Sequence, residues 1–303
     1  MLQPNLRGSL LMVAAMAGFA VEDMFLKFAA RSLPVGQILI MFGGGGMVVF
    51  AALTKWRGER VFHPAILTRP ILIRALFEVM GRLFYTLAIA FTALSSASAI
   101  LQATPLVVVA GAALIFGESV GWRRWAAILV GFVGVLIILR PGLDGFTMAS
   151  LLAVAGTIGF AGRDLATRAA PPVLSNLQLG VYGFAMMVPT GAVLLAFFGD
   201  FATPDLATSG QLFAATVVGV GAYYALTSAM RMGDVGVITP FRYTRLVFAL
   251  ILGAALFGER PDTYTLIGSA VIVASGIYTL IRGRRRGGGG GVPSQDRIIR
   301  DQS

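Results

Sequence analysis

The 303-residue chain contains no cysteine, and its one histidine is His63. The first absence excludes a disulfide scaffold and any thiolate metal or nucleophile chemistry. A lone histidine assembles no metal site, and His63 sits in a basic polar stretch, where it reads as a loop residue rather than a ligand or base. Charge is scarce too: 13% of the residues are charged, against about one quarter in soluble globular proteins. Apolar residues make up 57% of the chain and the mean hydropathy is +0.82, which describes a membrane protein. No nucleotide-binding motif occurs, so ATP is not a direct energy source. The run Gly43 to Gly46 lies inside an apolar span with no following Lys-Ser/Thr, which excludes a phosphate loop and leaves close helix contact or bending. The first apolar run is long and carries acidic residues toward its end, which marks a mature span rather than a cleavable signal peptide.

A bilayer core about 30 Å thick takes roughly 20 apolar residues as helix. Windows of that length predict ten spans, at about 8–27, 35–53, 70–90, 93–116, 125–140, 148–168, 176–198, 211–230, 235–257 and 263–281. The formal net charge of +10 does not point to nucleic acid, because the basic residues fall between apolar runs and at the C-terminal end. The second connection, "KWRGERVFHPAILTR", Arg123 and Arg124, Arg163 and Arg168, Arg231 and "RGRRR" all fall on one side of a ten-span chain. The connection "GDFATPDLATSG", on the other side, has only Asp200 and Asp205. By the positive-inside rule both termini are cytoplasmic and the protein resides in the inner (plasma) membrane. From Arg282 onward the sequence turns basic, then glycine-rich, then polar, and predicts a disordered tail.

The chain repeats itself. "SLLMVAAMAGFAVEDMFLKFAA" from Ser9 matches "SLLAVAGTIGFAGRDLATRAAP" from Ser150, pairing Phe19 with Phe160, Asp23 with Asp164 and Lys27 with Arg168. Gln37 and Gln178, and Glu118 and Glu259, share the same offset of about 141 residues. One register held at distant places implies duplication. Five spans per copy is an odd number, so the second copy is inverted, and the fold class is an all-α integral membrane protein of ten transmembrane helices in two inverted five-helix repeats. The units are 1–142 and 143–283, followed by a basic, Gly-rich cytoplasmic tail at 284–303.

Two tandem five-span units, each closing a span with Gly-Glu ("AGAALIFGES", "LGAALFGER"), resemble the drug/metabolite transporter superfamily, specifically its EamA branch. A small-residue first span ending in Lys27 or Arg168, the entry "SSASAILQATPLVVV" and the entry "TPFRYTRLVF" also match. The resemblance covers residues 8–281 and implies a carrier, commonly an exporter, of small organic metabolites. Within the branch the chain looks most similar to aromatic amino acid exporters. It departs from the pattern where many relatives have tryptophan and asparagine in the first span; here Phe19 and Glu22 stand instead.

Ionisable groups at membrane depth cost several kcal/mol unless they face protein or a wet cavity, which makes each a site candidate. Arg74, Glu78 and Arg82 stack at i, i+4 and i+8 along one face of the third span. Arg74 is near the cytoplasmic end and can snorkel. Glu78 and Arg82 either pair with each other or line a cavity, Glu78 toward a substrate ammonium and Arg82 toward its carboxylate. Arg242, following the helix-breaking Pro240, suits a bidentate carboxylate contact or braces the opposite repeat. Glu22 and Asp23 correspond to Arg163 and Asp164 in the inverted copy, and the two sets are candidate gates or interfacial anchors. Tyr85, Phe160, Tyr223 and Tyr243 are aromatic candidates for the substrate's apolar part, with Arg163 beside them and Gln102 as a polar handle; packing is the competing role for the rings.

The substrate expectation is export of neutral or aromatic amino acids by alternating access, with nucleotide-like or cationic drug-like metabolites as the alternative. An intramembrane enzyme acting on a lipid phosphate would need clustered carboxylates or a membrane histidine, and the sequence has neither. No polar ring or selectivity loop suggests a channel. No cofactor, metal or nucleic acid is expected; the partners are a small-molecule substrate and the bilayer.

Overall fold

A computed structural model describes residues 4–116, 121–140, 147–168, 170–171, 173–231 and 239–287. Among them every regular element is helical: α1 (Pro4–Ala29), α2 (Val35–Trp56), α3 (Arg69–Phe91), α4 (Leu94–Leu101), α5 (Thr104–Phe116), α6 (Trp122–Leu139), α7 (Met148–Arg168), α8 (Asn176–Ala185), α9 (Met187–Phe198), α10 (Leu206–Arg231), α11 (Thr244–Phe257) and α12 (Thr263–Gly287). Short 3-10 turns cover Pro64–Leu67 and Thr239–Tyr243. Five stretches are long and apolar enough to cross a membrane: Leu6–Ala29, Val35–Trp56, Leu94–Ile115, Asn176–Phe198 and Leu206–Ala229.

Two of those stretches are broken where the hydropathy windows predict single spans, and proline is the cause in both. Pro105 has no N–H for the Leu101 carbonyl, so α4 ends there; the Thr104 hydroxyl donates to that carbonyl instead, at 2.6 Å. Pro189 likewise leaves the Ala185 carbonyl without its helical donor, and α8 gives way to α9. At other ends the local signals are conventional. Ser175 and Gln178 form a reciprocal capping box at the start of α8, and Gly258 closes α11 in the left-handed region at φ +64°. His63 caps the 3-10 turn, its Nδ1 accepting from the Ala65 N–H at 3.2 Å. The C-terminal boundary is corrected: α12 continues through Arg284, Arg285 and Arg286 to Gly287, so the tail expected to be disordered from 282 begins as helix, and residues 288–303 lie outside the described residues. Residues 235–238 of the ninth window, and Glu118, also lie outside them.

The helices pack through small residues. α3 lies against α7 where Gly159 meets Gly81, and a Cβ on Gly159 would stand 2.5 Å from the Gly81 Cα. α1 lies against α10 where Gly18 meets Ala222, a Cβ on Gly18 falling 2.8 Å from that of Ala222. These two contacts are the same contact in the repeat register, since Gly18 corresponds to Gly159 and Gly81 to Ala222. α2 packs on α8 and α9, with Gly43 and Gly46 of the glycine run against Met187 and Phe184, and α6 packs on α12.

One carboxylate fastens several of these elements. Glu259, just past α11, accepts from the Leu94 and Ser95 backbone N–H groups at 2.8 and 3.0 Å and from the Ser95 hydroxyl at 2.8 Å. Ala93 provides no side-chain cap for α4, so Glu259 supplies it from the far end of the sequence. Lys27 of α1 completes the staple, 3.2 Å from Glu259 and donating to the Thr92 carbonyl at 2.6 Å. Glu259→Ala is therefore expected to cost about 1–2 kcal/mol, the range of a lost helix cap, and to appear as a lower melting temperature in detergent. Glu259→Gln, which keeps an acceptor oxygen, should recover part of it.

Candidate functional site

The charged residues of α1, α3, α7 and the α11 entry converge on one cavity of about 540 Å³ of empty space, part of it open to solvent. α1 contributes Met16 and Phe19, α3 Arg82 and α7 Phe160 and Arg163. The α4–α5 break contributes Leu101, Gln102, Thr104 and Pro105. Leu226 of α10, Arg242 and Arg245 complete the wall. The helix breaks matter here, because an uninterrupted helix at 101–105 would keep its backbone groups bonded to each other instead of turning Gln102 and Thr104 to a polar space.

Four arginines therefore line the cavity, and the carboxylates stand behind them. Arg82 is ion-paired with Glu22, and Arg245 with Asp23. Arg163 is 3.3 Å from Glu78 and 2.9 Å from Asp164, which Arg242 also reaches at 3.0 Å. Arg74, deeper in α3, is 3.3 Å from Glu78 and donates to the Thr167 and Tyr223 hydroxyls. Five arginines face four carboxylates, so the group carries one positive charge in excess. Aromatic rings lie against the guanidinium groups: Phe160 is 4.9 Å from Arg163 and 5.9 Å from Arg82, and Phe19 is 5.2 Å from Arg245. The Nε atoms of Arg82 and Arg245 and the Nε2 of Gln102 are buried with no acceptor among the described residues.

Of the residues singled out in the sequence, Arg82, Gln102, Phe160, Arg163 and Arg242 line this cavity. Glu78, Tyr85, Tyr223 and Tyr243 do not. Glu78 is held between Arg74 and Arg163, Tyr85 hydrogen-bonds Ser98 at 3.0 Å, Tyr223 is engaged by Arg74, and Tyr243 packs on Gly276 of α12. Two expectations are corrected. Glu78 and Arg82 do not pair along α3: the face of α3 turned to α7 gives Glu78 to Arg163, while Arg82 turns to Glu22 of α1. Arg74 does not snorkel, because Glu78, Thr167 and Tyr223 bury it at 2% exposure. The gate candidates Glu22, Asp23, Arg163 and Asp164 all join the ion pairs around the cavity, Arg163 in its wall and the carboxylates one step behind.

The candidates drawn from the sequence omit Phe19, Leu101, Thr104, Leu226 and Arg245. The repeat offset carries the missing signal for two of them, Phe19 corresponding to Phe160 and Leu101 to Arg242; Thr104 and Arg245 correspond only to each other, and Leu226 corresponds to Tyr85, which is not in the wall.

A helical membrane chain that buries a charged, partly aromatic cavity between its helices has the make-up of a membrane transporter. The chain belongs to the EamA-like transporter family, which it matches twice, over residues 6–140 and 146–281. It is similar to the riboflavin transporter of Vibrio cholerae, 28% identical over 89% of this chain and 91% of that one. It is also similar to the S-adenosylmethionine uptake transporter of Rickettsia bellii, 26% identical over 86% and 89%, and to the pseudopaline exporter CntI of Pseudomonas aeruginosa, 25% identical over 88% and 94%. None of these three is named for an aromatic amino acid, so the finer resemblance expected from the sequence gains no support from them.

Proposed function

We propose that this transporter is a secondary carrier of small carboxylate-bearing organic metabolites, aromatic amino acids and their keto acids among them, and that it works as an exporter by alternating access. On this reading ten spans form two inverted repeats, 1–142 and 143–283, with both termini cytoplasmic, and the arginine-lined cavity is the substrate site. The observation that carries it is the composition of the cavity wall. Three repeat-equivalent pairs, Phe19/Phe160, Leu101/Arg242 and Thr104/Arg245, meet there, which supports a site near a pseudo-two-fold axis, and four guanidinium groups stand beside two phenyl rings. The twofold family match and the repeated Gly18–Ala222 and Gly81–Gly159 contacts support the same symmetry.

Transport would follow from that symmetry. A carboxylate takes its place on the arginines, which are planar, permanently charged and suited to bidentate contact, while Phe19 and Phe160 cover the apolar part. The halves then rock about the site and open it to the other side. The wall of arginines disfavours cationic drug-like substrates.

Proteoliposomes of the purified protein should show saturable counterflow of labelled phenylalanine or phenylpyruvate, and Arg242→Ala should lower it at least tenfold or so, the effect of losing a hydrogen bond to a charged group. Absence of flux for both, beside an active control carrier, would contradict the substrate class. Running the assay with and without a pH gradient reports coupling in the same experiment.

A further inference from the structure

We infer that the cavity selects organic anions over zwitterions, taking aryl carboxylates without a neighbouring ammonium, and that Arg82, Gln102 and Arg245 are the donors that select them. This rests on the cavity being the substrate site.

The observation is which of the buried unpartnered groups belong to residues of the cavity wall. Arg82 and Arg245 each use a terminal nitrogen on a carboxylate and keep a buried Nε–H with no acceptor; Gln102, 4% exposed, keeps its amide nitrogen free in the same way. A guanidinium has five N–H donors, and one carboxylate partner leaves several of them open. A buried donor with no acceptor is costly, so an entering oxygen anion is stabilised by groups already desolvated and, for the arginines, lying against aromatic rings. These unpartnered donors come from three elements, α3, the α4–α5 break and α11, all of which reach the cavity.

The acceptor side stands further back: Glu22 Oε2, Asp23 Oδ1 and Glu78 Oε2 are also buried without a hydrogen bond, but these residues do not line the cavity. Among the described residues no carboxylate is in the cavity wall; Glu22, Asp23, Glu78 and Asp164 stand behind it, each ion-paired with one or more arginines. An ammonium in the cavity meets the like charges of Arg82, Arg163, Arg242 and Arg245 instead. Phenylpyruvate and phenylalanine have the same ring and carboxylate and differ only in the keto or ammonium group, so they isolate this difference.

The test is calorimetric titration of the full-length protein in detergent with phenylpyruvate, phenylalanine and phenethylamine. The expected result is phenylpyruvate bound about tenfold or more tightly than phenylalanine, with no binding of phenethylamine. Gln102→Leu, which disturbs no ion pair, should weaken phenylpyruvate about tenfold and narrow its margin over phenylalanine, with the melting temperature unchanged; a merely structural role would leave that margin alone. Phenylalanine binding as tightly as the keto acid, or phenethylamine competing with it, would overturn the inference. If phenylalanine is carried in proteoliposomes while phenylpyruvate neither binds nor crosses, the anion preference falls and the carrier reading stands. If none of the three binds and neither acid is carried, both fall together.

Discussion

Arg82→Gln is expected to abolish transport and to lower the melting temperature by on the order of 10 °C, while Arg82→Gln combined with Glu22→Gln restores the melting temperature and not the transport. Glu22 is fully buried at 0% exposure, and its ion partner is Arg82 of α3. Removing one member of a buried pair leaves the other charge uncompensated, at about 3–5 kcal/mol, whereas replacing both by neutral groups is often close to neutral. The cavity loses its guanidinium either way, so the two readouts separate the structural from the functional role of one side chain. Full transport by the single variant would remove Arg82 from the site. Recovery of transport in the double variant would show that Arg82 serves only to neutralise Glu22.

The second large effect is expected at the α3–α7 contact. Gly159→Ala should prevent recovery of a monodisperse protein, because the new Cβ would stand 2.5 Å from the Gly81 Cα and 2.9 Å from the Met80 carbonyl carbon. Those are backbone atoms, and no rotamer change relieves the clash; the two helices must separate. α7 carries Phe160, Arg163 and Asp164 and α3 carries Glu78 and Arg82, so separation dismantles the site as well as the packing. The equivalent change Gly18→Ala in α1 meets a side-chain methyl, Ala222 Cβ at 2.8 Å, and should be milder. Gly210→Ala and Gly221→Ala in α10 have nothing within 4 Å and should be neutral or gain up to about 1 kcal/mol of helix stability. Size-exclusion profiles and melting curves of the four variants give the comparison. Equal behaviour of Gly159→Ala and Gly221→Ala would contradict the packing.

Much of this was legible in residues alone because membrane helices obey few rules. Apolar windows mark where helices form, and the repeat register at Phe19/Phe160 and Asp23/Asp164 points to the residues that gather at the centre. The breaks at Gln102 and Met186 escape a hydropathy window, which averages composition; they are written in Pro105 and Pro189 and need the hydrogen-bond ledger of each turn. Of the ion pairs, spacing made Arg74–Glu78 legible and left the pairs between helices unread. Glu78 has an arginine four residues before it and another four after it, and spacing treats Arg74 and Arg82 alike. Helices distant in sequence decide between them: α1 brings Glu22 to Arg82, which leaves Glu78 to Arg74, and α7 adds Arg163. Arg245 is a similar case, for only its packing against α1 gives it Asp23 and a place in the wall.

The central claim is that the cavity between the two halves is the transport site and opens to each side in turn. The absence of cysteine makes the most direct measurement clean, since a single introduced thiol is the only one in the chain. Leu226→Cys lies in the cavity wall and outside the ion pairs. Its labelling by a membrane-impermeant maleimide should be measured in right-side-out and inside-out vesicles, with and without phenylpyruvate. The account predicts labelling from both sides and protection by the substrate in both orientations. Labelling from one side only, or labelling that the substrate leaves unchanged, would contradict it.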